Sequence, residues 1–315
     1  MTEDIIVHGA EWTIKELFVY PNEFIYWSIQ IVMYPYMTGL VAGAFVLSSL
    51  YHVFGQKDLK EIAQFSLVFS LALLPVAAMP LLLHLQQPTR AMEPLLTPHF
   101  TSAIAAFGIV FTTYALIVLS EIWFVYRAYF VHQLEVLKGS SGFWNAQRRI
   151  LYGILTFGAK DVGEEALRVD HKAAKILAGI GIPVACFLHG YAGFIFGSVK
   201  ANALWMSPLM PVIFIMSAVV SGIALCMLTY VVIMEWKAFR SRKAANGSTA
   251  GEIRGVEHDV IAKSTRYLLG FLVAAISLEL LDLIFRGYTA LKSWDILRTV
   301  MYGKDFINIF VLQYT

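Results

Sequence analysis

The chain is predicted to fold as an all-α, polytopic bundle of transmembrane helices, and three observations predict it. Hydrophobic residues make up 58% of its 315 residues and charged residues only 15%, whereas soluble domains carry about a quarter charged residues. Mean hydropathy is +0.66. The apolar residues are gathered into runs longer than about 18, and a helix rising ~1.5 Å per residue needs about 20 to cross a ~30 Å hydrocarbon core.

In chain order, residues 1–24 mix Asp4, His8, Glu11, Lys15 and Glu16 with apolar residues. They lack the basic start and cleavage site of a secretory signal, so they are read as an outer interfacial segment kept in the mature protein. Residues 25–315 are read as one transmembrane domain. Its complete spans are expected at Ile25–Tyr51, Ile62–Leu85, Thr101–Val131, Ile176–Phe196, Pro208–Met234 and Ser264–Phe285. A seventh begins near Asp305 and stops at Thr315, too soon to cross a bilayer. Unsatisfied helix carbonyls in lipid are costly, so the expectation is that the domain is C-terminally incomplete. Within the first span, Gly39 and Gly43 form a small-xxx-small pair that either admits a neighbouring helix or reflects chance spacing.

Of the 24 Lys and Arg residues, the loops after the first, third and fifth spans and the adjoining helix ends hold all but Lys15, Arg90, Lys200, Arg286, Lys292, Arg298 and Lys304. By the positive-inside rule the amino terminus lies outside. The expected location is the prokaryotic cytoplasmic (inner) membrane. The connection after the third span contains F-W-N-A-Q-R-R-I-L-Y-G-I-L-T-F, which suits either a helix lying on the inner surface or a solvated loop. The two cysteines, Cys186 and Cys226, lie in apolar segments and are too few for an iron–sulfur cluster, which takes about four thiolates. Any metal centre is therefore expected in a partner, and no nucleic-acid partner is expected.

With this orientation, polar residues from four spans fall at one depth near the outer interface. The first span brings Gln30 and Tyr34, the turn after the second brings His84 and Arg90, the fourth brings His189, and the sixth brings Glu279, Asp282 and Arg286. Glu121 lies toward the inner side as a step in a proton path. Ionisable residues inside a membrane segment mark functional sites. A quinone head group exchanges two electrons and two protons, so it needs donors that also titrate, and His and carboxylates serve. The plainer alternatives are a packed, hydrogen-bonded His189 and an Asp282–Arg286 pair that closes a helix end. Gly193, one turn beyond His189, is expected to leave room for a flat head group.

Y-P-Y-M-T-G-L-V-A-G-A-F-V-L-S in the first span, H-L-Q-Q-P-T-R followed by T-P-H-F-T-S-A, and H-G-Y-A-G-F-I-F-G with L-W-M-S-P-L-M-P-V-I-F-I-M-S-A in the fourth and fifth spans resemble the NrfD/PsrC family. These are membrane subunits of polysulfide reductase-like complexes. The resemblance covers the chain from about Phe24 onward, with the nearest likeness to DsrP-type members of Dsr sulfur-metabolism complexes. It implies a bundle without haem or iron–sulfur cluster of its own. Such a subunit exchanges electrons between menaquinone or another quinone and a ferredoxin-like iron–sulfur subunit on the outer face, with further redox subunits and membrane lipid as partners.

The resemblance assigns quinone contacts to Gln30, His84, Arg90 and His189, and the shared depth adds Tyr34. Acid–base work is expected of His189, Glu279 and Asp282. His84 and Q-Q-P stand where the family commonly has aspartate and G-R-P, a departure at the second turn. The partner is expected on the turns His84–Phe100 and Gly197–Ser207, with Trp205 as an aromatic anchor. Three other functions compete: a passive anchor for an electron-transfer subunit, a b-type cytochrome using His84 and His189, and a secondary transporter.

Overall fold

A computed structural model describes residues 29–84, 88–98, 103–199, 205–244, 257–289 and 292–302. Residues 1–24, the start of the seventh span and parts of the two turns expected to meet the partner lie outside the described residues. The helices are α1 (Ile29–His52), α2 (Lys60–His84), α3 (Glu93–Leu96), α4 (Ala103–Leu137), α5 (Phe143–Leu155), α6 (Glu164–Gly197), α7 (Met210–Ala244), α8 (His258–Tyr288) and α9 (Lys292–Tyr302). Among them α1, α2, α4, α6, α7 and α8 are long and apolar enough to cross a membrane. These six are the six spans read from hydropathy.

Helix boundaries extend beyond the apolar runs on one side of the bundle. α6 begins at Glu164 rather than Ile176, and α8 at His258 rather than Ser264. Hydropathy marks where apolar surface begins, whereas a helix continues as long as its own backbone bonds and a few side chains hold it. On α6 the holding contact is Arg127 of α4. Its Nε donates to both carboxylate oxygens of Asp170 at 2.8 Å, and its Nη1 donates to the Asp161 carbonyl at 2.6 Å. On α8 it is Lys263, whose Nζ lies 2.6 Å from Asp58 Oδ2.

The connection after α4 is a helix rather than a solvated loop. α5 follows Gly142 (φ +121°), and the chain turns away from it at Gly158 (φ +80°). None of its residues is buried. Phe143, Trp144, Ile150, Leu151 and Ile154 are all exposed, and Trp123 of α4 ties its end by donating from Nε1 to the Leu155 carbonyl at 2.9 Å.

α1 is the central helix. It packs against α2, α6 and α7, while α4 packs on α6 and α2, and α8 rests on α7. Tyr34, Phe45, Tyr114, Leu188 and Phe196 belong to one buried apolar cluster, and Leu47, Leu59, Ile62, Ile223 and Tyr230 to a second. The tightest contact is between the α1 and α7 backbones. A Cβ on Gly43 would stand 1.9 Å from the Ala218 carbonyl oxygen, and one on Gly222 would stand 2.6 Å from the Gly43 Cα. The small-xxx-small pair is thus a helix-packing seam, met on α7 by Ala218 and Gly222 at the same spacing.

Replacing Gly43 with Val should force α1 and α7 apart and cost about 3 kcal/mol, the upper end for overpacking. Thermal unfolding in detergent should show a clearly lowered midpoint. Gly139→Ala, at a position where a Cβ meets nothing within 4 Å, should leave the midpoint unchanged.

Candidate functional site

Between α1, α6 and α7 lies a cavity of about 280 Å³, at the small end of ligand cavities, which run roughly 300–1,000 Å³. α1 contributes Val32, Pro35, Tyr36 and Gly39 to its wall. α6 contributes His189 and Phe196, and the turn before α7 contributes Trp205. α7 supplies Phe214, Ser217 and Ser221 among others. The wall is mostly apolar and aromatic. Val32 and Tyr36 are 47% and 58% exposed, so the cavity opens there onto the side of the bundle.

His189 is 4% exposed, and its Nδ1 is buried with no hydrogen-bond partner among the described residues. Its ring lies 5.7 Å from that of Phe214, tilted by 33°. A buried imidazole with a bare nitrogen in an apolar wall is destabilising unless something polar visits it. Gly39 lets the imidazole pack directly against α1, because a Cβ there would sit 2.8 Å from His189 Cε1, so it makes no room there for a flat head group. Gly193 does not provide that room either. A Cβ there would meet the Pro211 Cα at 2.7 Å, the Met210 carbonyl at 2.8 Å and the Phe214 Cβ at 3.0 Å. The start of α7 fills the space expected for a head group, and the opening lies at Val32 and Tyr36 instead.

The other sequence-predicted residues are not gathered around His189. Tyr34 is buried against Phe107 of α4, ring centroids 5.4 Å apart. It faces away from the cavity, and Gln30, one turn earlier on the same face, does not line it either. His84 ends α2, and Arg90 forms an exposed pair with Glu93 at 2.6 Å; neither lines the cavity. Glu279 is half-buried on α8. Asp282 is buried and receives Arg286 Nε at 2.6 Å and the Ser207 hydroxyl. It therefore ties α8 to the turn carrying Trp205 without reaching the cavity. Glu121 is fully buried on α4 and accepts the Ser48 hydroxyl at 3.0 Å.

Trp205 stands in the wall, half-buried, with its ring 5.2 Å from Phe196. Sequence reasoning missed Tyr36, Phe214, Ser217 and Ser221 as wall residues. The signal was present in the spacing: Ser217 and Ser221 are one turn apart on α7, as Val32 and Tyr36 are on α1. Among the described residues no group of three or more metal-ligating side chains comes together.

Comparison with known proteins decides the family. The family model described as "Polysulphide reductase, NrfD" matches residues 20–312. The chain belongs to the NrfD polysulphide reductase family. This NrfD chain is 33% identical over 204 residues to a protein of Mesobacillus selenatarsenatis named as a selenate reductase subunit, covering 65% of the chain and 47% of the relative. It is 25% identical over 233 residues to a protein of Halobacterium salinarum named as a putative dimethyl sulfoxide reductase membrane subunit, covering 73% and 48%. The NrfD chain thus spans about half the length of the curated relatives it matches. Both relatives are named as subunits of reductases, and neither name refers to a Dsr-type sulfur complex.

The Asp282–Arg286 pair gives a stability prediction. Asp282→Ala should leave the Arg286 guanidinium buried and uncompensated, at a cost of about 3–5 kcal/mol. Differential scanning of the purified protein should show a larger loss of thermal stability than for Arg90→Ala, whose partner is half exposed.

Proposed function

We propose that this NrfD-family chain is a haem-free integral membrane subunit of a respiratory or sulfur-metabolism redox complex. It exchanges electrons between a membrane quinone, menaquinone or another, and a ferredoxin-like iron–sulfur subunit on the outer face. The observation that carries the reading is His189, a buried imidazole with one unpartnered nitrogen, in the wall of a largely aromatic cavity that opens sideways through Val32 and Tyr36.

The residues present fit a quinone head group. Phe196, Trp205 and Phe214 offer flat apolar surfaces, and His189 offers a hydrogen bond to a ring oxygen. The volume suits a ring rather than a ring with its isoprenoid tail, and the exposed Val32–Tyr36 side lets a tail remain among lipid chains. A bound quinone supplies two-electron, two-proton redox chemistry. The chain's own part is to orient the ring between the α6 and α7 aromatics, exclude water with apolar walls, and hold or release a proton at His189. Glu279 on α8 serves proton release toward the side read as outer, and Asp282, committed to Arg286 and Ser207, secures the turn that shapes the wall.

A passive anchor makes no use of a sided cavity walled by an imidazole with a bare nitrogen. A quinone subunit does, and its activity depends on partner redox subunits.

His189→Ala should leave the complex assembled and cut quinone-linked turnover by about 10² or more, the scale of a lost acid–base group. His189→Phe restores the packing without the nitrogen and should be equally slow. Wild-type turnover in the Ala variant would show that His189 is a packing residue.

A further inference from the structure

A second set of buried polar groups that quinone binding does not use runs along α1 from Val41, near the cavity, to His52 at the opposite end. Val41, Ser48 and His52 follow one another along a single face of α1, at positions i, i+7 and i+11. Tyr114 of α4 and Ser70 of α2 both donate their hydroxyls to the Val41 carbonyl, at 3.4 and 3.2 Å. Ser48 donates to Glu121 Oε1, and the other carboxyl oxygen, Oε2, is buried without a partner among the described residues. His52, one turn further, is 6% exposed, and neither of its ring nitrogens has a partner among the described residues. Its ring centroid lies 6.3 Å from that of His171 on α6, which is exposed.

Packing alone does not account for this arrangement. Buried polar atoms in proteins are nearly always hydrogen-bonded, and here three orphaned atoms sit on two side chains with Ser48 between them. The same end of the bundle shows what a purely structural polar contact looks like. Arg127 and Asp170 are joined through both carboxylate oxygens, and neither is among the side chains left with an orphaned atom. His52 and Glu121 are acid–base groups with free valence, set along a path that begins at an exposed imidazole. The path runs to Tyr114, whose hydroxyl meets the Val41 carbonyl two residues along α1 from Gly39 in the cavity wall. From His52 to Gly39, beside His189, α1 rises about 20 Å, most of a hydrocarbon core.

We propose that His171, His52, Ser48, Glu121 and Tyr114 form a proton path from the basic end of the bundle toward the His189 cavity. The inference rests on the quinone reading of that cavity and adds the side of the membrane from which its protons are taken up. In each step an O–H or N–H bond breaks as the next one forms. His171 takes a proton from water and hands it to His52. His52 passes it through the Ser48 hydroxyl to Glu121, and Glu121 releases its own proton toward Tyr114. Ordered water is required between the two imidazoles, and again between Glu121 and Tyr114, which stand 7 residues or about 10 Å apart along α4.

The test uses the complex isolated through a tag on this chain and reconstituted into vesicles, with menadione as the quinone probe. Three quantities are read: menadione binding by tryptophan quenching, proton uptake from each side with a trapped pH dye, and the infrared carboxyl band that changes on menadione reduction. Glu121→Gln and His52→Gln should bind menadione within about twofold of the unaltered complex, yet slow proton-coupled turnover by about 10². Uptake from the basic side should be lost, and the carboxyl band should vanish in Glu121→Gln. Glu121→Asp should recover part of the rate and a shifted band. Ser48→Ala, which removes only a hydroxyl, should slow uptake even if a Glu121 variant folds poorly.

Unchanged turnover, basic-side uptake and infrared band in Glu121→Gln, with menadione binding still dependent on His189, would overturn the path and leave the cavity reading standing. Menadione binding that survives His189→Ala unchanged would overturn the cavity reading, and with it the destination of the path.

Discussion

The contact between the α1 and α7 backbones governs the rest of the bundle. In lipid there is little hydrophobic force between helices, so association depends on how closely surfaces fit and on hydrogen bonds. Gly43 and Gly222 let the two main chains approach to distances at which any side chain would collide. That contact draws α1 into the middle, where α2 and α6 also reach it. It also sets the cavity. Gly39, one turn from Gly43, is where the His189 imidazole packs against α1, and beyond it the stripe of small residues ends. Val32 and Tyr36 on α1 and Phe214 on α7 are too large to continue the seam, and the cavity lies among them.

His189 and Asp282 show two ways in which a membrane bundle holds polar groups. Asp282 is held by Arg286 on its own helix and by Ser207 across the turn, so its charge is compensated and its position fixed. His189 is held by shape, between Gly39 on one side and Phe214 on the other, and one of its nitrogens is left bare. The first arrangement resists change. The second leaves a group able to accept or donate when a polar ligand arrives. Ser207 lies two residues from Trp205, so the fixed pair braces the wall around the adaptable histidine.

Much of the fold could be read from hydropathy, because membrane helices must satisfy their own backbone and present apolar surface to lipid. All six spans, the Gly39–Gly43 seam and the burial of His189 in an apolar setting were legible in that way. Which face a residue occupies was less so. Depth in the membrane does not fix rotation about a helix axis, and Tyr34 and Tyr36, at nearly the same depth, differ by about 200°. Tyr34 therefore joins the core against Phe107, while Tyr36 lines the cavity. Gly193 failed as a guide for a related reason: a missing side chain makes room for whichever neighbour is nearest, and there it is the start of α7. Helix ends beyond the apolar runs were hidden because the Arg127–Asp170 and Lys263–Asp58 pairs that hold them join residues far apart in sequence.

Unfilled hydrogen-bonding capacity separates the groups proposed to move protons from the bracing ones. Among the described residues, buried side-chain atoms without partners occur on His52, Glu121, His189 and Arg286. On Arg286 the bare nitrogen belongs to a guanidinium already committed to Asp282. The other three residues all exchange protons in ordinary acid–base chemistry, and all three lie on or against α1, where the packing is tightest. A polar atom left bare in the best-packed part of a bundle is not explained by loose fit. Tight packing around His52, Glu121 and His189 fixes the positions of these groups while leaving a polar atom of each without a protein partner among the described residues.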